Sequence, residues 1–251
     1  MSKPLCIFPI TFNAEVHRGD VLTDTLLTAA RKCKLTFRSG DILVVKHKIV
    51  SKSEGQWQDL EEIKPTQSSR AWARRYGLDP RMTQLALRES RRVLRQRRGV
   101  LITETRHGLI CANSGVDVSN VDGGHNALLL PQDPDASALR LHRALKKKLQ
   151  LSIPVVITDT FGRPWREGLT EVAIGIAGMK AIHDDRGRLD PYGYTLRVSA
   201  EAVADEIACA AGLVCGKLSR TPACIIRGFA YRAGGTGARE LIRPAARDLF
   251  R

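Results

Sequence analysis

The sequence lacks the features that define several protein classes. No apolar run reaches the roughly 18 residues of a membrane-spanning helix, and no small-residue cleavage site follows the N-terminal stretch MSKPLCIFPI. We therefore expect a soluble, cytoplasmic protein with no membrane partner. The six cysteines include no CxxC pair. This spacing favours buried free thiols in a reducing compartment over disulfides or a metal cluster.

Standard nucleotide-binding and nucleic-acid-binding motifs are also missing. Neither GxxxxGK[ST] nor GxGxxG occurs, so any nucleotide site is of neither common kind. Aromatic residues make up only 5% of the chain, which leaves little material for a base-stacking platform. No RNA-recognition, zinc-finger or helix-turn-helix pattern is present.

Positive charge, in contrast, is abundant. The formal net charge of +14 indicates anionic partners, which are nucleic acid, an acidic membrane surface or small phosphorylated ligands. The basic stretches RESRRVLRQRRG (88–99) and HRALKKKL (142–149) have helical periodicity, and we interpret them as solvated helix faces. On charge alone, a basic nucleic-acid-binding protein remains an alternative.

The order of predicted elements indicates an α+β fold. Asp79-Pro80 and Asp133-Pro134 each combine an N-cap with a first-turn proline, and they predict helices that run to about Gln96 and Gln150. The stretch 41–52 predicts one strand that passes from the core to the surface. Further strands are predicted at 6–10, 100–105, 108–112, 153–158, 171–177, 194–198 and 222–227, and further helices at 21–33 and at 201–215, the latter ending at Gly216.

The first of four polar stretches with candidate site residues is KHKIVSKSEG. Its lysines Lys48 and Lys52 follow a buried strand, and a lysine fixed at a strand end can bind phosphate. The same lysines could equally guard an exposed strand edge. The fourth stretch, GKLSRTPACIIRGF, is a weaker candidate, in which a glycine and a lysine follow the end of a predicted helix.

The second and third stretches are rich in oxygen ligands. CANSGVDVSNVDGG (111–124) is either a solvated loop or a site for a hard cation. VITDTFGRPWREG places Asp159 and Thr160 at a strand end, with Arg163 and Arg166 close behind. A carboxylate, a hydroxyl and two guanidiniums are the parts of a metal–phosphate site, although a capped β-turn with arginines in solvent is the alternative.

The segments GDILVVKHKIVSKSEG, HGLICANSGVDVSNV and ITDTFGRPWREGLTEVAIGIAGM together resemble the coenzyme F420-0:L-glutamate ligase family. The resemblance extends from FPI at 8–10 to RGF at 227–229, and it includes the ligase half of the two-domain actinobacterial enzyme. It implies an unusual α+β fold in an intertwined homodimer. It also implies a single ligase-like domain over 1–251, without a nitroreductase-like C-terminal domain.

The resemblance implies an activity as well. GTP would phosphorylate the terminal carboxylate of coenzyme F420-0, and the amine of L-glutamate would attack the acyl phosphate, with further γ-linked glutamates added in some members. Two divalent cations, Mg²⁺ or Mn²⁺, and K⁺ would assist, and no nucleic acid is expected as a partner. A ligase of the same fold that acts on another carboxylate is the alternative.

Site residues follow from the matching motifs. Asp117 and Asp159 resemble ligands of the first metal, and Thr160 resembles a ligand of the second. Archaeal members often carry Gln or Glu at a position that helps to hold the second metal, and this chain has Lys217 there. Either the second metal has fewer protein ligands in this protein, or Lys217 contacts a phosphate. We infer that Arg163 and Arg166 bind the F420-0 phosphodiester or a substrate carboxylate. The residues that resemble GTP contacts are Asn13, Ala14, Glu15 and Val16, in a loop whose sequence is unlike the usual one, together with His47, Lys48, Lys52 and Asn120.

Overall fold

A five-stranded mixed sheet forms the centre of the protein. The computed structural model describes residues 4–119, 121 and 123–249. The described strands form a five-stranded sheet, a three-stranded sheet and two two-stranded sheets. Together with the helices, these sheets confirm the predicted α+β class. In chain order the strands are β1 Cys6–Ile10, β2 Ile42–Lys46, β3 Trp57–Asp59, β4 Ser90–Arg97, β5 Val100–Thr105, β6 Ile110–Ala112, β7 Asn126–Leu128, β8 Val155–Arg163, β9 Arg166–Ala177, β10 His183–Asp184, β11 Ala200–Glu201 and β12 Ala223–Arg227, and the helices are α1 Leu22–Lys32, α2 His47–Ser53, α3 Gln67–Tyr76, α4 Pro80–Glu89, α5 Pro134–Leu149 and α6 Val203–Gly212.

The strand order of the central sheet is β1-β12-β2-β8-β9. Strands β2 and β8 run parallel, with Leu43 opposite Val155 and Lys46 opposite Thr158, whereas the other three pairings are antiparallel. The carboxyl ends of parallel neighbours lie at the same edge of a sheet. The residues that follow β2 and those that end the buried part of β8 therefore meet at one edge.

Both faces of this sheet are covered. Leu43 and Val45 face a core shared with α1 and α5, while Ile42 and Val44 face a second core shared with α6. Burial on both faces explains why β2 is a continuous apolar run in the sequence rather than an alternating one. A third, smaller cluster that includes Leu85 of α4 lies outside the central sheet.

The two predicted helix starts are confirmed. The Asp79 carboxylate accepts a hydrogen bond from the Arg81 backbone N–H at 2.8 Å, and Asp133 accepts one from the Ala136 N–H at 3.0 Å. Each cap is followed by proline at the first helical position, where the missing N–H costs nothing. Helix α5 ends as predicted, with Gln150 as its cap.

The prediction of one helix from Pro80 to Gln96 is wrong. Helix α4 ends at Glu89, and β4 takes the arginine-rich segment into an antiparallel pair with β5. A helical charge pattern on a surface element also fits a strand whose arginines point to solvent. Pairing with β5, which is not visible in local sequence, decides between the two.

Three other predicted elements have different bounds. The predicted strand 41–52 is β2 followed by α2, in which His47 and Ser51 lie four residues apart and contact each other at 3.3 Å. Segment 194–198 forms no strand, and Thr195 makes only an isolated bridge to Leu189. Helix α6 ends at Gly212 rather than at Gly216.

The predicted free thiols and the predicted absence of membrane spans can be compared with the structure. All six cysteines are free, and Cys111, Cys215 and Cys224 are buried. Among the helices of the described chain, none combines the length and apolar character that crossing a membrane requires.

Candidate active site

A cavity of about 650 Å³ opens at the edge where β2 and the buried part of β8 end. Its wall is formed by the loop after β1, the junction of β2 with α2, Val121 and Gly123 of the loop before β7, the buried end of β8 and the segment that follows α6. Five stretches that are distant in sequence therefore meet at one site. The predicted site residues that line it are Asn13, Ala14, Glu15, Val16, His47, Lys48, Lys52, Asp159, Thr160 and Lys217.

Asp159 is held in place by two donors at the cavity wall. Its Oδ1 lies 3.2 Å from Nε2 of the buried His47 and accepts the backbone N–H of Thr160 at 2.7 Å. Burial alone would raise the pKa of Asp159, but the neighbouring His47 and the Thr160 N–H outweigh it and hold this pKa below its usual value. The carboxylate is therefore ionised at neutral pH, as a cation ligand must be.

Three lysines bring positive charge to the same wall, and each is paired with a carboxylate. The charged ends are therefore fixed in position rather than free in solvent. Lys52 is the most enclosed, since only 6% of its side chain is exposed, whereas Glu15 is 57% exposed. The pairs are Lys46 with Glu171, Lys48 with Asp117 and Lys52 with Glu15.

Asp117 itself does not line the cavity. Its Oδ2 accepts a hydrogen bond from Lys48 Nζ at 2.8 Å, and its Oδ1 accepts the Ser119 N–H at 2.7 Å. Burial would raise the pKa of Asp117, but the Lys48 ammonium and Ser119 outweigh it and lower this pKa. Asp117 is thus joined to the cavity through Lys48. Whether Asp117 and Asp159 share one cation stays a prediction.

Arg163 and Arg166 lie elsewhere. Strand β8 does not end at Thr160 but continues to Arg163, which is opposite Arg166 at the tip of the β8–β9 hairpin. Both are exposed, and neither lines the cavity. The predicted strand end at Asp159 and Thr160 is therefore wrong for the chain as described, and the structure leaves the two arginines outside the cavity. Their contact with an acceptor substrate stays a prediction.

Sequence reasoning missed two residues of the site, Lys46 and Glu171. Lys46 ends the apolar run ILVVK directly before His47 and lines the cavity. Glu171 is a buried carboxylate that precedes the apolar run VAIGIA. Both residues are charged and lie at the border of an apolar strand, and this position was the sequence signal that could have identified them. What sequence could not show is that Glu171 lies opposite Thr160 across the hairpin.

The remaining predicted ligands are less defined by the structure. Asn120 lies outside the described residues. Lys217 lines the cavity close to Cys215. Over residues 4–119, 121 and 123–249, no three or more His, Cys, Asp or Glu side chains form a group that could hold a metal ion.

Known proteins resemble this chain along most of its length. A model of the F420-0:Gamma-glutamyl ligase family matches residues 13–228. The coenzyme F420:L-glutamate ligase of Methanothermobacter thermautotrophicus is 42% identical over 240 residues, which cover 94% of each chain. Its counterpart in Methanopyrus kandleri is 40% identical over 98% of each chain, and that in Archaeoglobus fulgidus is 38% identical over 98% of this chain and 96% of its own.

The matched range contains every predicted site residue, from Asn13 in the loop after β1 to Lys217 after α6. The similarity is therefore not confined to the sheet that supports the cavity. The family resemblance inferred from three sequence segments is confirmed, and the chain belongs to the F420-0:Gamma-glutamyl ligase family.

Proposed function

We propose that this protein joins L-glutamate to the terminal carboxylate of coenzyme F420-0 in a reaction driven by GTP. The names of its relatives, coenzyme F420:L-glutamate ligases, support the two substrates to be joined. The observation that carries the proposal is the cavity itself, where Lys46, Lys48 and Lys52 stand beside the ionised Asp159. Fixed lysines next to a cation ligand suit a phosphate-bearing substrate.

The chemistry has two steps. An oxygen of the F420-0 carboxylate attacks the γ-phosphorus of GTP, and GDP leaves. The amine of glutamate then attacks the acyl carbon, an amide bond forms, and inorganic phosphate leaves with the bonding electrons while the amine loses a proton. Both steps bring negative groups together, so positioning and charge neutralisation supply most of the catalysis.

The chain's own residues divide this work. The loop 13–16, His47, Lys48, Lys52 and Asn120 hold the nucleotide, and the lysines neutralise its phosphates. Lys217 lies where it can contact a phosphate rather than a metal, because a charged ammonium has no lone pair to donate. Arg163 and Arg166 bind the acceptor, either at its phosphodiester or at a carboxylate.

The donor atoms at the cavity fit a hard divalent cation. Asp159 and Thr160 present a carboxylate and a hydroxyl at the cavity wall. Asp117 adds a second carboxylate, which is hydrogen-bonded to the cavity residue Lys48. These oxygen donors suit Mg²⁺ or Mn²⁺. Asp117 and Asp159 would hold the first ion, and Thr160 would contribute to holding the second. When bound, the ions supply positive charge between the two anionic substrates.

Two further features belong to the proposal. K⁺ assists the reaction, and two copies of the chain form a homodimer. The exposed hairpin tip, where Trp165 is 81% and Leu169 is 62% exposed, supports the dimer because large exposed apolar side chains mark contact surfaces. Light scattering at micromolar concentration would measure the oligomeric state directly.

Mass spectrometry tests the function. F420-0 incubated with the protein, GTP, Mn²⁺ and L-glutamate should gain the mass of one glutamyl residue, or of several if γ-linked units are added. Omitting GTP or glutamate should leave F420-0 unchanged. Metal-dependent GTP binding without any product would instead favour another carboxylate substrate. Salt-sensitive RNA binding with no metal requirement would favour the nucleic-acid alternative.

A further inference from the structure

We propose that Glu171 is a positioning residue of this site, which orients the Thr160 hydroxyl toward a bound cation and anchors the Lys46 ammonium at the cavity wall. The inference rests on the proposed function, because it assigns a task to two residues of that cavity. Glu171 does not line the cavity and would touch no substrate.

The contacts converge on one oxygen. Glu171 is opposite Thr160 in the β8–β9 ladder, and the Thr160 hydroxyl donates to Glu171 Oε1 at 2.8 Å. The ammonium of Lys46, at the end of β2, forms an ion pair with the same oxygen. Glu171 therefore links the end of β2 to Thr160 of β8, and these two strands position the site.

The direction of the Thr160 hydrogen bond matters chemically. A threonine hydroxyl has one hydrogen and two lone pairs. Because Glu171 takes the hydrogen, the lone pairs remain for an electron-poor partner such as a divalent cation. The lysine has three hydrogens, so Lys46 can contact Glu171 and still offer hydrogens to a phosphate oxygen.

The burial of Glu171 indicates that its position has a function beyond stability. Only 7% of its side chain is exposed, and its Oε2 is buried without a hydrogen-bond partner within the described residues. An apolar side chain of similar volume would often be as stable or more stable in such a place. The carboxylate is therefore better explained by what it orients than by what it adds to folding.

Helix α6 packs directly against the Glu171 side chain. A Cβ at Gly212 would lie 2.7 Å from Glu171 Cγ, so a larger residue there would displace the carboxylate. The Cys209 thiol, one turn earlier on α6, donates to the Glu171 carbonyl oxygen at 3.2 Å. Two residues of α6 thus hold both the backbone and the side chain of Glu171 in one place.

The test compares Glu171→Gln with Glu206→Gln, a matched change at an exposed position of α6. Mn²⁺ affinity is measured from the electron paramagnetic resonance signal of free Mn²⁺ in the presence of GTP, and kcat, KM and the melting temperature are measured in parallel. Loss of a residue that orients a metal ligand typically weakens metal binding about 10–100-fold. We expect a loss of this size and a lower kcat in Glu171→Gln, an unchanged KM for F420-0, and no change in Glu206→Gln.

The outcomes separate the two proposals. A parent protein that joins glutamate to F420-0, with Glu171→Gln matching its Mn²⁺ affinity and kcat, would overturn the positioning role and leave the proposed function intact. A parent that forms no product and binds no Mn²⁺ with GTP would overturn both. If Glu171→Gln does not fold, Glu171→Asp tests the positioning role by the same criteria. Its side chain keeps the negative charge but is one methylene shorter, so the carboxylate oxygens lie farther from Thr160 and Lys46.

Discussion

Lys48 and Asp117, 69 residues apart in the sequence, form a 2.8 Å ion pair next to the cavity. Lys48 Nζ also contacts the carbonyl and hydroxyl oxygens of Ser119 at 2.7 and 2.8 Å. Three oxygens around one ammonium resemble the environment that a metal ion would require. Under the proposed function, a cation at Asp117 would compete with the Lys48 ammonium for the same carboxylate, and its binding would release Lys48 toward a phosphate.

Lys48→Met should therefore separate metal binding from nucleotide binding. Without nucleotide, Mn²⁺ affinity should rise because a positive charge near Asp117 is gone. GTP affinity should fall because a phosphate partner is lost. Calorimetric titration with each ligand measures both effects, and Lys148→Met, which changes an exposed lysine paired with Asp24, is the control. A fall in both affinities would contradict the competition.

Lys52→Ala tests the nucleotide site more directly. We expect GTP binding to weaken by about 1–3 kcal/mol, the usual scale for a lost charge-assisted hydrogen bond. Its partner Glu15 is more than half exposed, so water can solvate the carboxylate that remains. Calorimetry should show no effect in Lys148→Ala. Equal GTP affinity in Lys52→Ala and the parent would mean that Lys52 only fixes the loop 13–16.

Asp159→Asn keeps the shape of the side chain and removes the charge that a cation needs. Turnover should be lost, and Mn²⁺ affinity should fall, while circular dichroism still reports a folded protein. Asp184→Asn, which changes an exposed aspartate paired with Arg186, should retain full activity. Normal turnover in Asp159→Asn would remove this residue from the metal site.

Arg166→Ala tests the hairpin tip. Because Arg166 does not line the cavity, GTP affinity should stay at the parent value, while F420-0 affinity should fall if the guanidinium binds the acceptor. Fluorescence titration with F420-0 and calorimetry with GTP give the two values. Unchanged F420-0 affinity would make Arg166 a solvent-facing residue of the hairpin.

Asp79 offers a pH-dependent test of the fold. The Arg81 side chain, against a smaller opposing effect of burial, holds the pKa of Asp79 below its usual value. Its ionised form therefore stabilises the folded state above the unfolded pKa of about 3.9, and this contribution is lost as the pH falls through the folded pKa. Asp79→Asn, which keeps a capping side chain, should be less stable than the parent at pH 6. Urea unfolding should show that the difference shrinks toward pH 3, and a constant difference would contradict the assignment.

Local signals predicted the parts of the fold that local chemistry determines. Asp79 and Asp133 were recognisable as caps, and the apolar run of β2 was recognisable as a buried strand. The β4 segment was not, because its state depends on pairing with β5. Likewise Lys48, Asp159 and Thr160 were recognisable as candidate site residues from their types, and His47 from the family resemblance, and all four line the cavity. Glu171 was not recognisable, because its place depends on hairpin register. Register is set by pairing across the sheet, which a single motif does not encode.

The parallel pairing of β2 with β8 has a consequence for how the protein is made. Lys46 and Glu171, which meet through this part of the sheet, are 125 residues apart in the sequence. Contacts between distant residues form only after the entropy of closing the intervening loop has been overcome. A nascent chain that stops before β9 has neither the hairpin nor the complete cavity. Ligand binding should therefore appear in step with global folding, and it can serve as a reporter that the chain has reached its native topology.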